Sequence, residues 1–204
     1  MYVPKAFALD DEYSLDLAQS IGFGHLCVAV AGTVVSTPLP FLIEPGPTPL
    51  LRAHLARANP VVTAIGAGAA ALVIVAGPDA YVSPSSYPSK AEHGRVVPTW
   101  NYVAIHLTGH ARCVESDSDI ATIVSDLTDH HEQALPSPWS ASDAPDDFLA
   151  SQRRAIIGIE VRIESVIGKS KLSQNRSAED RGAVIDTLRN GAPRDQAVAE
   201  VMEP

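Results

Sequence analysis

The sequence predicts a mainly β fold with peripheral helices, an α+β arrangement built on an antiparallel sheet or barrel. Three observations predict it. Ile157, Ile159, Val161 and Ile163 alternate with Gly158, Glu160, Arg162 and Glu164, the period of a strand with one buried and one wet face. Strand-like runs number about six or seven, and short turns join them more often than helices do. Ala31-Gly32 lies between two such runs and reads as a hairpin turn, the connection that antiparallel neighbours use.

Along the chain, Asp10 and Asp11 precede Tyr13, Leu17, Ala18 and Ile21, which predicts a capped amphipathic helix ended by Gly22. His25 to Val30 and Thr33 to Ile43 form the hairpin. Pro38 and Pro40 remove two ladder donors from its second arm, so that arm is an edge, a bulge or a ligand-facing strand. After a Pro/Gly loop from Glu44 to Pro49, Leu50 to Ala53 reads as a brief strand. His54 to Asn59 reads as one or two helical turns stopped by Pro60.

Ala70 to Ala76 is a buried strand, resumed at Ala80 to Ser83 after a Gly77-Pro78-Asp79 turn. Pro84 to Pro98 is a long irregular stretch of the kind that usually carries function. Asn101 to Val114 is a long strand. Asp117 to Glu132 is a helix with Ile120, Ile123, Val124 and Leu127 on one face, and Asp146 to Arg154 is a second, beyond a Pro/Ser-rich link. Ser177 and Asp180 stand three apart before Val184, Ile185 and Leu188, the spacing of a capping box. The expected organisation is a single domain over 1–190, with 191–204 as a frayed C-terminal tail.

With 204 residues, 46% of them hydrophobic and 19% charged, the chain can bury a sizeable core. A formal net charge of −9 argues against a general nucleic-acid binder, although a local basic patch remains compatible with it. Cys27 and Cys113 lack the spacing of a metal or redox pair. No signal pattern or membrane-length apolar run occurs, so a cytoplasmic protein with no membrane contact is expected.

Several motifs carry little. Gly66-Ala-Gly68-Ala-Ala-Ala71 has the letters of a dinucleotide fingerprint but leads into a strand, not a helix. His130 and His131, with Asp126, Asp129 and Glu132, mix both faces of a helix end and read as solvated surface, with no metal. Neither G-x-S-x-G nor H-E-x-x-H occurs.

The cations say more. Lys169 to Arg176 reads KSKLSQNR, with Lys169, Lys171 and Arg176 unopposed by any carboxylate and with Ser173, Gln174 and Asn175 as hydrogen-bonding partners. Placed before a helix N-terminus, this segment suits an anion, most naturally a phosphate. Arg52, His54 and Arg57 make a second basic segment; Lys90, His93 and Arg95 make a third. Each alone is compatible with solvated surface; together they favour one shared anionic pocket. Tyr81, Tyr87, Trp100 and Tyr102 cluster in sequence, either as core or as a stacking surface for a planar ligand.

Two long motifs carry a family resemblance. Tyr81 to Tyr102, YVSPSSYPSKAEHGRVVPTWNY, and Lys171 to Arg181, KLSQNRSAEDR, resemble the PaiB-type FMN-binding negative transcriptional regulators, related in fold to pyridoxamine-phosphate oxidase. MYVPK at Met1 to Lys5 and RAHLARANP at Arg52 to Pro60 fit the same pattern. The resemblance implies an antiparallel split β-barrel of the FMN-binding type, a homodimer with FMN at the subunit interface. It implies that Thr37, Pro38 and Leu39 pass along the flavin ring and that His54, Arg57 and Asn59 lie near the phosphate. Lys90, Trp100 and Asn101 would come from the long loop, and Lys171, Ser173, Gln174, Asn175 and Arg176 from the basic segment. Two departures from the pattern stand out: Ser86 occupies a place where the family carries an aromatic, and the Ala31-Gly32 hairpin is short.

Three functions follow as expectations. The first is a PaiB-type regulator acting on transcription directly or through a partner, with direct DNA contact disfavoured by the charge. The second is an FMN-dependent oxidoreductase of the pyridoxamine-phosphate oxidase-like class. The third is a haem-binding relative or a ligand-free interaction module.

Overall fold

The computed structural model describes residues 1–203. A 3-10 turn at Lys5–Phe7 leads into β1 (Ala8–Leu9), α1 (Asp11–Ile21), β2 (Phe23–Val30), β3 (Thr33–Pro40), β4 (Leu42–Glu44) and β5 (Leu50–Ala56). Then come α2 (Pro60–Ile65), β6 (Ala69–Val82), a 3-10 turn at Pro84–Ser86, α3 (Ser89–His93), β7 (Thr99–Val114) and α4 (Asp117–Glu132). A 3-10 turn at Ala141–Asp143, α5 (Asp146–Arg154), β8 (Ile156–Lys171), α6 (Ala178–Arg189) and α7 (Pro193–Met202) complete the described chain.

Among the described residues the strands make one eight-stranded sheet in the order β3-β2-β6-β7-β8-β5-β4, with β1 paired to β8 off this path. The β2–β3, β2–β6, β4–β5 and β5–β8 pairings are antiparallel, and so is β1–β8. The path is open, which gives the expected sheet with flanking helices in its split form and not as a closed ring. β3, the strand with Pro38 and Pro40, ends the path, where missing donors cost least. Ala31 and Gly32 both take positive φ, +49° and +78°, as a two-residue turn matched to the strand twist requires.

The chain divides into two compact units. One comprises Leu15–Val75 and His106–Val166; its core includes Leu26, Phe41, Leu51, Val73, Leu107 and Ile159, all fully buried. α4 adds Ile120, Ile123 and Leu127, and Val114, Ile123 and Leu127 pack with Leu42. β7 and β8 approach closely here because position 109 is glycine: a Cβ there would overlap the Arg162 carbonyl. The other unit gathers Met1–Ser14, Ala76–Ile105 and the residues from Ile167, with Val82, Val103, Leu172, Val184 and Val198 buried.

Four local expectations are corrected. His54–Ala56 extend β5, and Pro60 begins α2 instead of stopping a helix, because a proline at the first helical position gives up a donor that has no partner there anyway. Gly77-Pro78-Asp79 makes no turn; β6 runs through it, and a Cβ at position 77 would press on Val103. β8 continues well beyond Ile163 to Lys171. The expected frayed tail is a helix, α7, packed on α6, with Val198, Ala199 and Met202 buried. Only Val198, Ala199 and Met202 of this helix are buried, too short a pattern for sequence periodicity to mark.

If α7 is an integral part of its unit, Met202→Ala lowers stability by about 2–5 kcal/mol, the cost of emptying a fully buried side-chain site. Denaturant unfolding followed by circular dichroism measures it; an unchanged midpoint would restore the tail.

Candidate functional site

The basic segment begins as strand and ends as a tight turn. Lys169 and Lys171 are the last cations of β8. Beyond them Ser173 takes φ +63°, a left-handed conformation rare for a residue with a side chain and a mark of a locally constrained backbone. Gln174 holds the turn: its Oε1 accepts from the Leu172 N–H at 2.7 Å and its Nε2 donates to the Ser170 carbonyl at 2.7 Å. The amide expected to face a ligand is thus spent on the backbone.

Ser177 caps α6 as the sequence implies, its Oγ accepting from the Asp180 N–H at 3.1 Å. The reciprocal half of the box is absent. The Asp180 carboxylate turns to α3 and accepts from the Ser89 N–H at 3.1 Å and the Ser89 hydroxyl at 2.8 Å. The first turn of α6 carries Glu179 and Asp180, so an anion would meet two carboxylates there. Lys171 and Arg176 instead line a small cavity.

That cavity, about 60 Å³, is bounded by Tyr87, Thr99, Asn101, Lys171, Ser173, Asn175 and Arg176. Lys171 Nζ donates to Thr99 Oγ1 at 2.5 Å and to the Trp100 carbonyl at 2.6 Å. Its pKa is pushed below the ordinary lysine value, first by burial and then by the positive charges of Lys169 and Arg176. The Arg176 guanidinium lies over the Tyr87 ring, 4.7 Å from its centroid. Among the described residues neither Lys171 nor Arg176 forms an ion pair. Tyr87 is 2% exposed, and its hydroxyl is buried without a hydrogen-bond partner.

The other candidates in this unit hold the walls or lie elsewhere. Asn101 is fully buried; its Oδ1 accepts from the Ser173 hydroxyl at 3.1 Å and its Nδ2 faces the Met202 sulfur at 3.3 Å. Trp100 offers its carbonyl to Lys171, while its half-exposed ring meets Tyr81 edge-on at 6.1 Å and lies 5.6 Å from the Arg194 guanidinium. Lys169 donates to the Tyr2 carbonyl at 3.2 Å and sits 5.2 Å from the Tyr102 ring centre. Lys90 donates to Ser85 Oγ at 3.0 Å and lines a wider groove of about 590 Å³ with Ser86, Tyr87, Ala183 and Thr187. Ser86 is the position where the family pattern has an aromatic, and its small side chain borders the open groove.

In the other unit, Thr37 and Asn59 come together: Asn59 Nδ2 donates to Thr37 Oγ1 at 3.0 Å, while its Oδ1 caps α2 through the Val61 N–H at 2.9 Å. Along β3 the Thr37 and Leu39 side chains are buried, Leu39 in the core, and Pro38 lies on the exposed face. Arg57 Nε donates to the Arg154 carbonyl at 3.1 Å. His54 is held neutral by burial, which lowers its pKa, and its Nδ1 is buried without a partner. Arg52 is neutralised by Glu44 at 2.6 Å and Glu160 at 3.6 Å, which removes it from the pool of anion-binding cations.

Sequence reasoning left Tyr87 and Thr99 out of the binding set. Tyr87 was visible only as one aromatic among several. Thr99 lies at the strand start, and no local pattern marks a hydroxyl that meets a lysine 72 positions away.

Residues 1–165 match the family described as a putative FMN-binding domain. The protease synthase and sporulation protein PAI 2 of Bacillus subtilis is 30% identical over all of this chain and 97% of its own length. A FAD- and haem-binding protein of Mycobacterium smegmatis has a TM-score of 0.61 at 18% identity, over 85% of this chain and 77% of its own. The flavocytochrome Anf3 of Azotobacter vinelandii has a TM-score of 0.56 at 14% identity, over 89% and 78%. The two structural likenesses carry the fold; the sequence matches carry the family. The chain belongs to the PaiB-type FMN-binding family, an open antiparallel sheet with flanking helices and a flavin as cofactor.

Proposed function

We propose that this chain is an FMN-binding negative regulator of transcription, working as a homodimer in the cytoplasm. The observation that carries the flavin half of this reading is the unopposed pair Lys171 and Arg176 beside a buried, unpartnered Tyr87 hydroxyl. Two cations and the Asn175 amide suit a ligand that ends in a phosphate. In this reading Lys171, Ser173, Asn175 and Arg176 supply charge and hydrogen bonds to the ligand, whereas Gln174, Asn101 and Trp100 fix their positions. When bound, FMN supplies one- and two-electron redox chemistry.

The regulatory half rests on the name of the Bacillus relative, which points to protease synthesis and sporulation in that organism. A net charge of −9 favours action through a protein partner over direct DNA contact. A mobility shift of the chain's own promoter fragment at low salt, with and without FMN, tests this: a shift establishes direct contact, and its absence points to the partner.

An FMN-dependent oxidoreductase is the second reading, favoured by the placement of a partly desolvated lysine beside two further cations, where negative charge developing on a ligand is stabilised. Anaerobic mixing of the FMN-loaded protein with NADPH decides it, since an unbleached flavin spectrum removes the reductase. A haem-binding module is the third, favoured by a neutral His54 with a free buried nitrogen. A Soret band on haem titration would support it.

Titration with FMN, followed by flavin fluorescence, gives saturable binding in the wild type. Lys171→Ala and Arg176→Ala each weaken it by about 1.5–3 kcal/mol, the worth of a hydrogen bond to a charged group; unchanged affinity in both excludes the segment from the site. The pH dependence has a definite sign. The ammonium form of Lys171 attracts the anion, and its pKa is depressed by burial and by Lys169 and Arg176, so affinity falls on the alkaline side, beginning below the ordinary lysine range. Lys171→Arg, which stays charged, abolishes that fall.

A further inference from the structure

The unit formed by Leu15–Val75 and His106–Val166 holds a second cavity, between α4 and α5. α4 turns Ile120, Ile123 and Leu127 into the core, and the flank beside them carries Ala121, Val124, Ser125 and Thr128 at helical spacing. These short side chains leave a gap to α5. The space is about 400 Å³, with Trp139, Leu149 and Ile156 as its larger walls. Small organic ligands bind in pockets of roughly 300–1,000 Å³ whose walls are mostly apolar and carry a few placed polar groups.

The charges at this cavity select the sign of its ligand. Arg153 and Asp129 both line it, but the Arg153 guanidinium is paired with Asp117 at 3.3 Å. Asp129 forms no ion pair among the described residues and accepts only a long bond from the Ser125 hydroxyl, at 3.4 Å. It stands in the last turn of α4, where the carbonyl end of the helix also favours a cation. Glu132, one turn further, accepts the Trp139 N–H at 2.7 Å and so fixes the indole wall. The surrounding chain adds a field of the same sign. Residues 115–154 hold nine carboxylates against two arginines, a net −7 of the whole chain's −9.

We propose that the cavity between α4 and α5 binds a small organic cation, an amine carried on an aromatic body, with its ammonium group at Asp129. The aromatic body lies against Val124, Leu149, Ile156 and the Trp139 indole, a surface that suits a flat ring and tolerates a nearby positive charge. This site shares no residue with the Lys171–Arg176 cavity and is independent of the flavin reading. Its ligand has the opposite charge to a phosphate.

The test uses the full chain and three probes of one shape and different charge: 1-naphthylmethylamine, 1-naphthalenemethanol and 1-naphthaleneacetate. Calorimetry at neutral pH and low salt measures their binding. Wild type binds the amine saturably at one site, the alcohol more weakly and the carboxylate least. Asp129→Asn lowers the affinity for the amine by about two- to fivefold, the worth of a solvent-screened ion pair, and leaves the alcohol unchanged. Ala121→Phe and Ser125→Leu, which place bulk in the cavity from α4, abolish binding of amine and alcohol alike. Circular dichroism melting identifies which of these two variants is folded, and the folded one is read.

Amine binding that exceeds carboxylate binding, and that depends on both Asp129 and an open cavity, supports the site. Equal affinity for amine and carboxylate overturns it, as does an absence of amine binding by wild type at millimolar concentration. Amine binding that survives in a folded, filled variant places the ligand elsewhere and also overturns it. Light scattering covers the remaining occupant: if filling the cavity lowers the oligomeric mass, the space is an interface between copies of the chain and the ligand proposal falls.

Discussion

The buried amide of Asn101 is the interaction on which the candidate site depends. Its carbonyl oxygen receives the Ser173 hydroxyl and its nitrogen faces the sulfur of Met202, so one side chain ties β7, the turn after β8 and α7 together. Each tie has a reason in the local chain. Ser173 sits in a left-handed conformation that needs outside support, and Met202 brings in the last helix, which also buries Val198 and Ala199. With these three elements fixed, Lys171 and Arg176 are presented to one small space.

An acidic protein can hold such a pocket only if its carboxylates are engaged elsewhere. Asp180, the nearest acid in sequence to Arg176 but for Glu179, is bound by the backbone and hydroxyl of Ser89. In the other unit Glu160 takes Arg52 and Arg112, and Glu44 also takes Arg52. Burial lowers the pKa of Lys171 first, and the uncompensated positive charges of Lys169 and Arg176 lower it further. Sites that bind charged ligands commonly store electrostatic strain in this way, because the ligand relieves it.

Much of the fold was legible because its signals are local. The Ile157–Ile163 alternation, the Asp117–Glu132 and Asp146–Arg154 helices and the Ala31-Gly32 turn each follow from side-chain periodicity or backbone preference within a few residues. What failed depended on context. Pro60 starts or stops a helix according to what precedes it, and β5 runs on to Ala56 because β8 offers partners as far as Ile156. Pro78 lies within β6, which runs unbroken from Ala69 to Val82. In the site, the charge pattern of Lys169 to Arg176 was visible, but the division of labour was not. Gln174 and Asn101 look like ligand donors in sequence, and their side chains bond within the protein; Tyr87 is buried with its hydroxyl unpartnered.

The unit that holds the cavity is assembled from three separated stretches of chain, and its ties span long distances: 167 positions between Lys169 and Tyr2, 101 between Asn101 and Met202. The other unit closes with residues up to Val166. During synthesis the chain emerges from its N-terminal end, and contacts of such separation are slow to form. Tyr87 and Thr99 therefore leave the ribosome long before the residues that give them a purpose, and the cations converge only once α7 can dock. A nascent chain that stalls before Met202 would carry all eight strands without the sulfur that the Asn101 amide faces.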